Sequence, residues 1–132
     1  IDGDTCRIEG GELVRLLGAD TPERSAPWFR GAQEPWATQA SEFARTRLRE
    51  AERVELLTRG ERDAHGRLLG HICLDGEPLA ALLVEAGLAY PTLAHYGDSG
   101  FPELARAIQA RAQPAPFQAP WRWRRLHRQS PR

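Results

Sequence analysis

Acidic residues are concentrated in the first 23 positions, where Asp2, Asp4, Asp20 and Glu23 lie close to turn-forming Gly, Thr and Pro residues. Hard divalent cations such as calcium take oxygen ligands from carboxylates, and Asp4 and Asp20 supply two if a hairpin brings its ends together. Glu23 would then reach a water near that metal and act as a general base. The alternative is that these carboxylates only cap turns.

Two arginines have positions that suit a bound phosphate. Arg15 interrupts the apolar run from Leu13 to Leu17, where a charge is costly unless it meets an anion. That anion is either a structural carboxylate or a phosphate. Arg67 follows Gly66 at the start of a predicted strand, and together the two guanidiniums suggest a phosphate clamp. A metal, a base and two arginines are the parts that phosphodiester hydrolysis requires, because they stabilise transition-state charge and activate water.

The elements that position these residues begin with a predicted β-hairpin. Two β-compatible segments, residues 5–9 and 12–17, flank a Gly-Gly pair that allows the positive φ of a tight turn. Residues 18–34 lose periodicity and are predicted to form a surface loop. The other predicted elements are a helix over residues 35–51, strands over 54–58 and 68–74 with a polar loop between them, and helices over 78–86 and 101–113.

This order of short strands and helices predicts an α+β fold, a small mixed β-barrel with helices packed outside it. The chain has 132 residues, 41% of them hydrophobic, which suits one globular domain. We assign residues 1–113 to that domain and residues 114–132 to a Pro/Trp/Arg-rich extension, predicted to be extended rather than helical. Cys6 and Cys73 are expected to be two small buried strand residues rather than a bridge.

Charge is balanced overall but uneven along the chain. The 18 basic residues, all arginine, balance 18 acidic ones, so bulk charge alone does not indicate a nucleic-acid binder. Residues 111–132 carry six arginines and no carboxylate. There Trp121, Arg122 and Arg124 belong to a run that interleaves aromatics with cations, as single-strand binders do. The alternative is that Trp121 docks on the barrel while the arginines face water.

No segment approaches the roughly 18 apolar residues of a membrane helix, which predicts a soluble protein without a membrane partner. Three separated motifs then resemble those of the staphylococcal nuclease (thermonuclease) family, in order and at similar spacing. They are Asp2-Gly3-Asp4-Thr5, Arg15-Leu16-Leu17-Gly18-Ala19-Asp20-Thr21-Pro22-Glu23 and Asp63-Ala64-His65-Gly66-Arg67. The run from Asp75 to Ala89 is similar to that family's turn and second helix, so the resemblance covers about residues 1–89 well and the rest of the chain loosely.

The resemblance implies a five-stranded OB-type β-barrel with about three helices, and a calcium-dependent nuclease acting on DNA and RNA. Such enzymes cut the P–O5′ bond and leave 3′-phosphate ends. It also implies a monomer and a secreted or periplasmic location. The family's first barrel strand precedes the Asp-Gly-Asp-Thr motif, so we expect one barrel strand to be absent here. The alternative function is a catalytically silent module on the same barrel that binds nucleic acid or protein.

The resemblance also implies roles for individual residues. Asp4 and Asp20 would bind Ca²⁺ together with the backbone carbonyl of Thr21. Glu23 would orient or deprotonate the attacking water. The scissile phosphate would be held by two arginines, Arg15 and Arg67.

Further substrate contacts are expected from three residues. His65 replaces an aromatic residue often seen before the Gly-Arg pair, and it either stacks on a base or faces solvent. Tyr90 and Tyr96 stand near the family's nucleotide-facing tyrosines. The loop over residues 25–33 carries Trp28-Phe29-Arg30, whose aromatics either stack on bases or anchor the loop.

Overall fold

The computed structural model describes residues 3–24 and 32–127, so Asp2 and Trp28-Phe29-Arg30 lie outside the described residues. The strands are β1 (Thr5–Arg7), β2 (Leu13–Leu16), β3 (Ala19–Asp20), β4 (Val54–Arg62), β5 (Leu68–Leu74), β6 (Glu77–Pro78) and β7 (Tyr90–Pro91). The helices are α1 (Trp36–Glu50), α2 (Leu79–Glu85), α3 (Leu93–Tyr96), α4 (Pro102–Gln109) and α5 (Pro120–His127). The α+β class is therefore confirmed.

The predicted N-terminal hairpin is present. Strands β1 and β2 pair antiparallel with Thr5 opposite Arg15. Gly10 and Gly11 have φ values of 86° and 81°, in the left-handed region that glycine enters without steric cost. The Leu16 N–H donates to the Asp4 carbonyl at 2.7 Å. The hairpin thus brings the chain back beside Asp4 at Leu16, four residues before Asp20.

The strands form two sheets rather than a closed barrel within the described part of the chain. The larger sheet has the order β1-β2-β5-β4, with β6 also paired to β5, and β3 and β7 form a separate antiparallel ladder. Among the strand pairs of residues 3–24 and 32–127, only β2 and β5 run parallel. Strand β4 lies at the edge and is exposed along its length except at Leu56, which is half-buried. The expected barrel closure is therefore not observed among these residues.

The core lies between the larger sheet and the helices. All six residues of α2 from Leu79 to Val84 are buried, so this helix packs on several neighbours at once. Val14 and Leu16 of β2 supply the sheet side of the core. Ala40 and Ala44 line the buried face of α1, where small side chains allow close approach. This packing holds β2, and with it Arg15, in a rigid position.

The structure also bears on the two cysteines and on membrane-spanning helices. Cys6 and Cys73 are buried and unbridged, as predicted. In the portion that the structure describes, no helix has the length and apolar character needed to cross a bilayer.

Several predicted elements differ from those observed. Residues 18–34 were predicted as a surface loop, but they include β3, whose two residues are buried because they pair with β7. Strand β4 continues past Thr58 to Arg62, because the ladder with β5 resumes at Arg62 opposite Leu68 after a register shift. Helix α4 ends at Gln109 rather than at residue 113. Five α-helices and a short 3-10 helix (Glu9–Gly11) occur in the described residues, where about three α-helices were expected. One of the additional helices, α3, is a single turn and too short to show helical periodicity.

The other unexpected helix is α5, and the prediction that this segment is extended was wrong. Pro120 occupies the first helical position, where its missing N–H has no intrahelical partner to lose. The N–H groups of Arg122 and Trp123 both donate to the Ala119 carbonyl at 2.9 Å and close the first turn. Proline therefore begins this helix instead of preventing it.

Candidate active site

Asp4 and Asp20 converge on one guanidinium. Arg15 Nη1 lies 3.3 Å from Asp4 Oδ2, and Arg15 Nη2 lies 3.4 Å from Asp20 Oδ1. The hairpin supplies Asp4, and the pairing of β3 with β7 fixes Asp20 opposite Tyr90. Both acids are buried, Asp20 completely. The structure thus brings together the two carboxylates that the sequence indicated as metal ligands.

Thr21 adds a polar contact to the same pair. Its N–H donates to Asp4 Oδ2 at 3.3 Å, and the residue is buried. Burial raises the pKa of Asp20, and the nearby Asp4 carboxylate adds to the rise, while Arg15 and Arg124 act in the opposite direction. The net effect is a raised pKa, because burial of Asp20 outweighs the two arginines.

The chemistry of this pair fits a hard cation. In the described residues, no group of three or more His, Cys, Asp or Glu side chains is arranged to hold a metal ion. The candidate ligands are instead the carboxylates of Asp4 and Asp20, which face the same guanidinium. An all-oxygen, buried and negatively charged set suits calcium or magnesium and is unsuited to soft metals.

Arg15 is fixed by more than its ion pairs. Its Nη1 also donates to the carbonyls of Leu16 at 2.8 Å and Ala19 at 3.2 Å, so the guanidinium bridges the end of β2 and the start of β3. Of the two anions expected for Arg15, the structure shows the carboxylates. A contact of Arg15 with phosphate stays a prediction.

Glu23 lies beside the same two acids. Its half-buried carboxylate forms an ion pair with Arg124, and its N–H donates to Gln33 Oε1 at 3.0 Å. Burial raises the pKa of Glu23 to about 7, and the neighbouring Arg124 limits that rise. A carboxylate that titrates near neutrality is suited to accept a proton from water. We refer to Asp4, Asp20 and Glu23 as the acid cluster.

Arg67 is held at the edge of this arrangement. Its Nε donates to Asp63 Oδ2 at 2.8 Å, and its Nη1 donates to Thr5 Oγ1 at 2.9 Å. The Thr5 hydroxyl in turn donates to Asp4 Oδ1 at 3.4 Å. Although burial raises the pKa of Asp63, hydrogen bonds from Arg67 outweigh it and lower that pKa. Thr5 thereby links the second predicted phosphate ligand to the acid cluster.

Arg124 reaches the acid cluster from α5. Its Nη2 donates to Asp20 Oδ2 at 3.0 Å and to the Tyr96 hydroxyl at 3.1 Å, while Nη1 contacts Asp20 Oδ1 at 3.4 Å and pairs with Glu23. Burial lowers the pKa of Arg124, but the carboxylates of Asp20 and Glu23 outweigh this effect, so the pKa is raised overall. The sequence placed Arg124 in a nucleic-acid-binding tail, and no local pattern links it to acids about a hundred positions earlier.

Tyr90 and Trp121 make internal contacts. The Tyr90 hydroxyl donates to the Phe117 carbonyl, and its ring meets Phe117 edge-on at 5.3 Å. Trp121 stacks on His95 with 4.4 Å between centroids and an interplanar angle of 12°. Of the two expectations for Trp121, the structure shows docking on the protein. Arg122 is exposed on α5.

The remaining predicted contact residues lie at the surface. His65 is exposed in the turn between β4 and β5, where its N–H donates to Asp63 Oδ1 at 2.9 Å. Tyr96 is 53% exposed and contacts Arg124 through its hydroxyl. A role of these side chains in substrate binding stays a prediction.

Gln33 is a site residue that the sequence did not indicate. It is 2% exposed, and besides accepting from Glu23 it donates through Nε2 to the Gln118 carbonyl at 2.7 Å. This side chain therefore joins the segment of the general-base candidate to the segment that leads into α5. A single glutamine in a predicted loop carries no signal for such a role.

Comparison with known proteins identifies relatives of this chain. The family model described as Staphylococcal nuclease homologue matches residues 13–115. The thermonuclease of Staphylococcus intermedius is 38% identical over 93 residues, which are 67% of this chain and 54% of the relative. Endonuclease YncB of Bacillus subtilis (strain 168) is 33% identical over 93 residues, 67% of this chain and 43% of its own.

A third relative, the SPbeta prophage-derived endonuclease YokF of the same strain, is 30% identical over 93 residues, which are 67% of this chain and 31% of its own. The chain thus spans about half the length of these relatives or less. The family model nevertheless covers more than half of the chain and includes Arg15, Asp20, Glu23 and Arg67. On this evidence the chain belongs to the staphylococcal nuclease family.

Proposed function

We propose that this chain is a calcium-dependent nuclease that hydrolyses DNA and RNA at the P–O5′ bond and leaves 3′-phosphate ends. The observation that carries the proposal is the convergence of Asp4 and Asp20 on Arg15, with Glu23 beside them at a pKa near neutrality. The relatives named thermonuclease and endonuclease support a nuclease as the kind of enzyme.

Asp4 and Asp20 would hold the calcium ion, with the Thr21 carbonyl as a third oxygen ligand. When bound, calcium would supply positive charge that stabilises the developing negative charge on phosphate oxygens. The rest of the reaction is assigned to the side chains of this chain.

Glu23 would act on the attacking water. At neutral pH a carboxyl group with a pKa of about 7 is ionised in roughly half of the molecules and can receive a proton at its carboxylate oxygen. Its backbone is held by Gln33, so the carboxylate has a defined position relative to Asp20. This combination favours a general base over a solvated surface acid.

Arg15 and Arg67 would bind the scissile phosphate. Each guanidinium is already held by protein carboxylates, Arg15 by Asp4 and Asp20 and Arg67 by Asp63. Such pre-organisation lowers the cost of orienting a charge toward the transition state. In the proposed complex both guanidiniums would contact the phosphate oxygens.

The alternative is a silent binding module. A module that only binds nucleic acid or protein has no need for a half-buried carboxylate that titrates near neutrality beside two buried acids. Contacts with bases would then come from exposed residues, His65, Tyr96 and Arg122.

A cleavage assay tests the proposal. Labelled single-stranded DNA and RNA are incubated with the protein in calcium and, in parallel, in calcium with excess EGTA. We expect cleavage only with free calcium, and products whose mobility changes after phosphatase treatment in the manner of 3′-phosphate ends. Cleavage that persists in EGTA would exclude the calcium role. Binding without cleavage would support the silent module.

A further inference from the structure

Arg124 lies outside the residues that the family model matches, yet its side chain contacts the acid cluster through several hydrogen bonds. Its two terminal nitrogens contact both oxygens of Asp20, and one of them also pairs with Glu23. Three carboxylates thus face two guanidiniums, those of Arg15 and Arg124. If all are ionised, one negative charge remains, whereas removal of Arg124 would leave two.

Helix α5 is anchored so that Arg124 points into the site. Pro120 is fully buried, and Trp121 stacks on His95 and meets Tyr90 edge-on at 5.7 Å. Positions three apart lie on the same face of a helix, so docking of Trp121 turns Arg124 toward Asp20. Arg122 and Arg125, on the same helix, are exposed.

A divalent cation and this guanidinium require the same oxygen atoms. Calcium binds carboxylate oxygens at about 2.3–2.6 Å, and Arg124 Nη2 lies 3.0 Å from Asp20 Oδ2. Asp20 is fully buried and already faces Arg15, so water cannot screen a divalent cation and the Arg124 guanidinium brought this close together. The Arg124 side chain, in contrast, is about one third exposed and can swing into solvent on its own rotamers without unfolding α5.

We propose that Arg124 is an internal counter-cation of the acid cluster and competes with a divalent cation for Asp20 and Glu23. The arginine neutralises the cluster before the metal binds, and the metal displaces it. The affinity for the cation is then set partly by α5. This inference rests on the assignment of Asp4 and Asp20 as the cation site in the proposed function.

Calorimetric titration of the full chain with calcium chloride, without nucleic acid, tests the competition. We expect Arg124→Ala to bind calcium at least about tenfold more tightly than the wild type, because a charge-assisted pair no longer has to break. Arg125→Ala removes the same charge from an exposed position of the same helix and should leave the calcium affinity unchanged. Arg124→Gln, which keeps a polar side chain, should behave like Arg124→Ala.

Tryptophan fluorescence gives a second readout that needs no variant of Arg124. Arg124 donates to the Tyr96 hydroxyl, and the Tyr96 ring meets Trp121 edge-on at 6.1 Å. Displacement of Arg124 therefore changes the surroundings of Trp121, so calcium should change the emission of the wild type, and Trp121→Phe should reduce that change. The inference is overturned if both Arg124 variants bind calcium equally or more weakly, or if the wild type and Arg124→Ala both fail to bind it. It is also overturned if calcium binds with no change in emission.

Failure of the inference and failure of the proposed function can be told apart. If Arg124 competes with calcium but the protein cleaves neither DNA nor RNA, the inference is supported and the proposed nuclease function is excluded. Calcium-dependent cleavage with equal calcium affinity in the wild type and Arg124→Ala would support the proposed nuclease and overturn the inference about Arg124.

Discussion

Gln33 and Glu23 are joined by two hydrogen bonds that run in opposite directions. The Gln33 N–H donates to the Glu23 carbonyl at 2.8 Å, and the Glu23 N–H donates to Gln33 Oε1 at 3.0 Å. Since Gln33 also donates to the Gln118 carbonyl, one buried amide ties the general-base candidate to the approach to α5. The position of Glu23 thus depends on a residue ten positions away.

Gln33→Ala should therefore destabilise the protein and reduce turnover together. The substitution leaves the partly buried Glu23 N–H and Gln118 carbonyl without their partner, at a cost of about 1–3 kcal/mol in the free energy of unfolding. Urea unfolding and the cleavage rate measure the two effects. Gln39→Ala, at an exposed position of α1, is the matched control and should change neither quantity. Full activity of Gln33→Ala would contradict the positioning role.

Asp63→Asn should lower turnover while calcium affinity stays unchanged. The amide keeps the shape of the side chain but loses the ionic contact with Arg67 Nε, so this guanidinium is held less firmly. We expect a loss of about tenfold in kcat, the equivalent of one charge-assisted hydrogen bond.

Asp98→Asn is the control for Asp63→Asn. Each aspartate accepts an N–H from the residue two positions later, His65 in one turn and Gly100 in the other, but only Asp63 contacts Arg67. Equal effects of the two substitutions would show that loss of turn geometry, and not of the Arg67 contact, lowers the rate.

The stability of the protein should fall as pH decreases below 6.5 because of His71. This residue is 1% exposed, and neither ring nitrogen has a hydrogen-bond partner within the described structure. Burial lowers its pKa from 6.5 to about 4. Between these values the unfolded state binds a proton that the folded state does not, so the free energy of unfolding decreases by at most about 1.4 kcal/mol per pH unit.

The difference between wild type and His71→Gln isolates this contribution, since every other titrating group is common to both proteins. Chemical unfolding across this pH range should show a steeper acid loss in the wild type. Parallel curves for the two proteins would mean that His71 does not titrate as described.

Gly18→Ala should be strongly destabilising for two reasons. Gly18 has a φ of 89°, and a Cβ there would lie 2.5 Å from Cδ1 of the fully buried Ile108. Gly10→Ala imposes a similar φ of 86° with no atom within 4 Å of the new Cβ. We expect about 1 kcal/mol for the backbone term alone and a clearly larger loss for Gly18→Ala. Equal losses in thermal or urea unfolding would show that Ile108 moves aside.

The local elements could be predicted from sequence because each has a local cause. The hairpin follows from its two glycines, α1 and α2 from apolar periodicity, and β5 was predicted with its observed bounds, Leu68–Leu74. Helix α5 could not be predicted in this way, because its docking depends on contacts of Pro120 and Trp121 with distant parts of the chain.

The same distinction applies to the candidate site. The carboxylates and arginines of the motifs were identifiable because their types and spacing are informative. Gln33 and Arg124 were not identifiable in these roles, since each acts on Glu23 across a separation that only the tertiary fold closes.

The central claim is that Glu23 is the base of a nuclease built on the acid cluster. Its most direct test is kcat of Glu23→Gln on single-stranded DNA at saturating calcium, beside Glu42→Gln, an exposed position of α1. We predict a loss of about a hundred- to ten-thousand-fold for Glu23→Gln with folding retained, and no loss for Glu42→Gln. Cleavage by Glu23→Gln at the wild-type rate would contradict the claim.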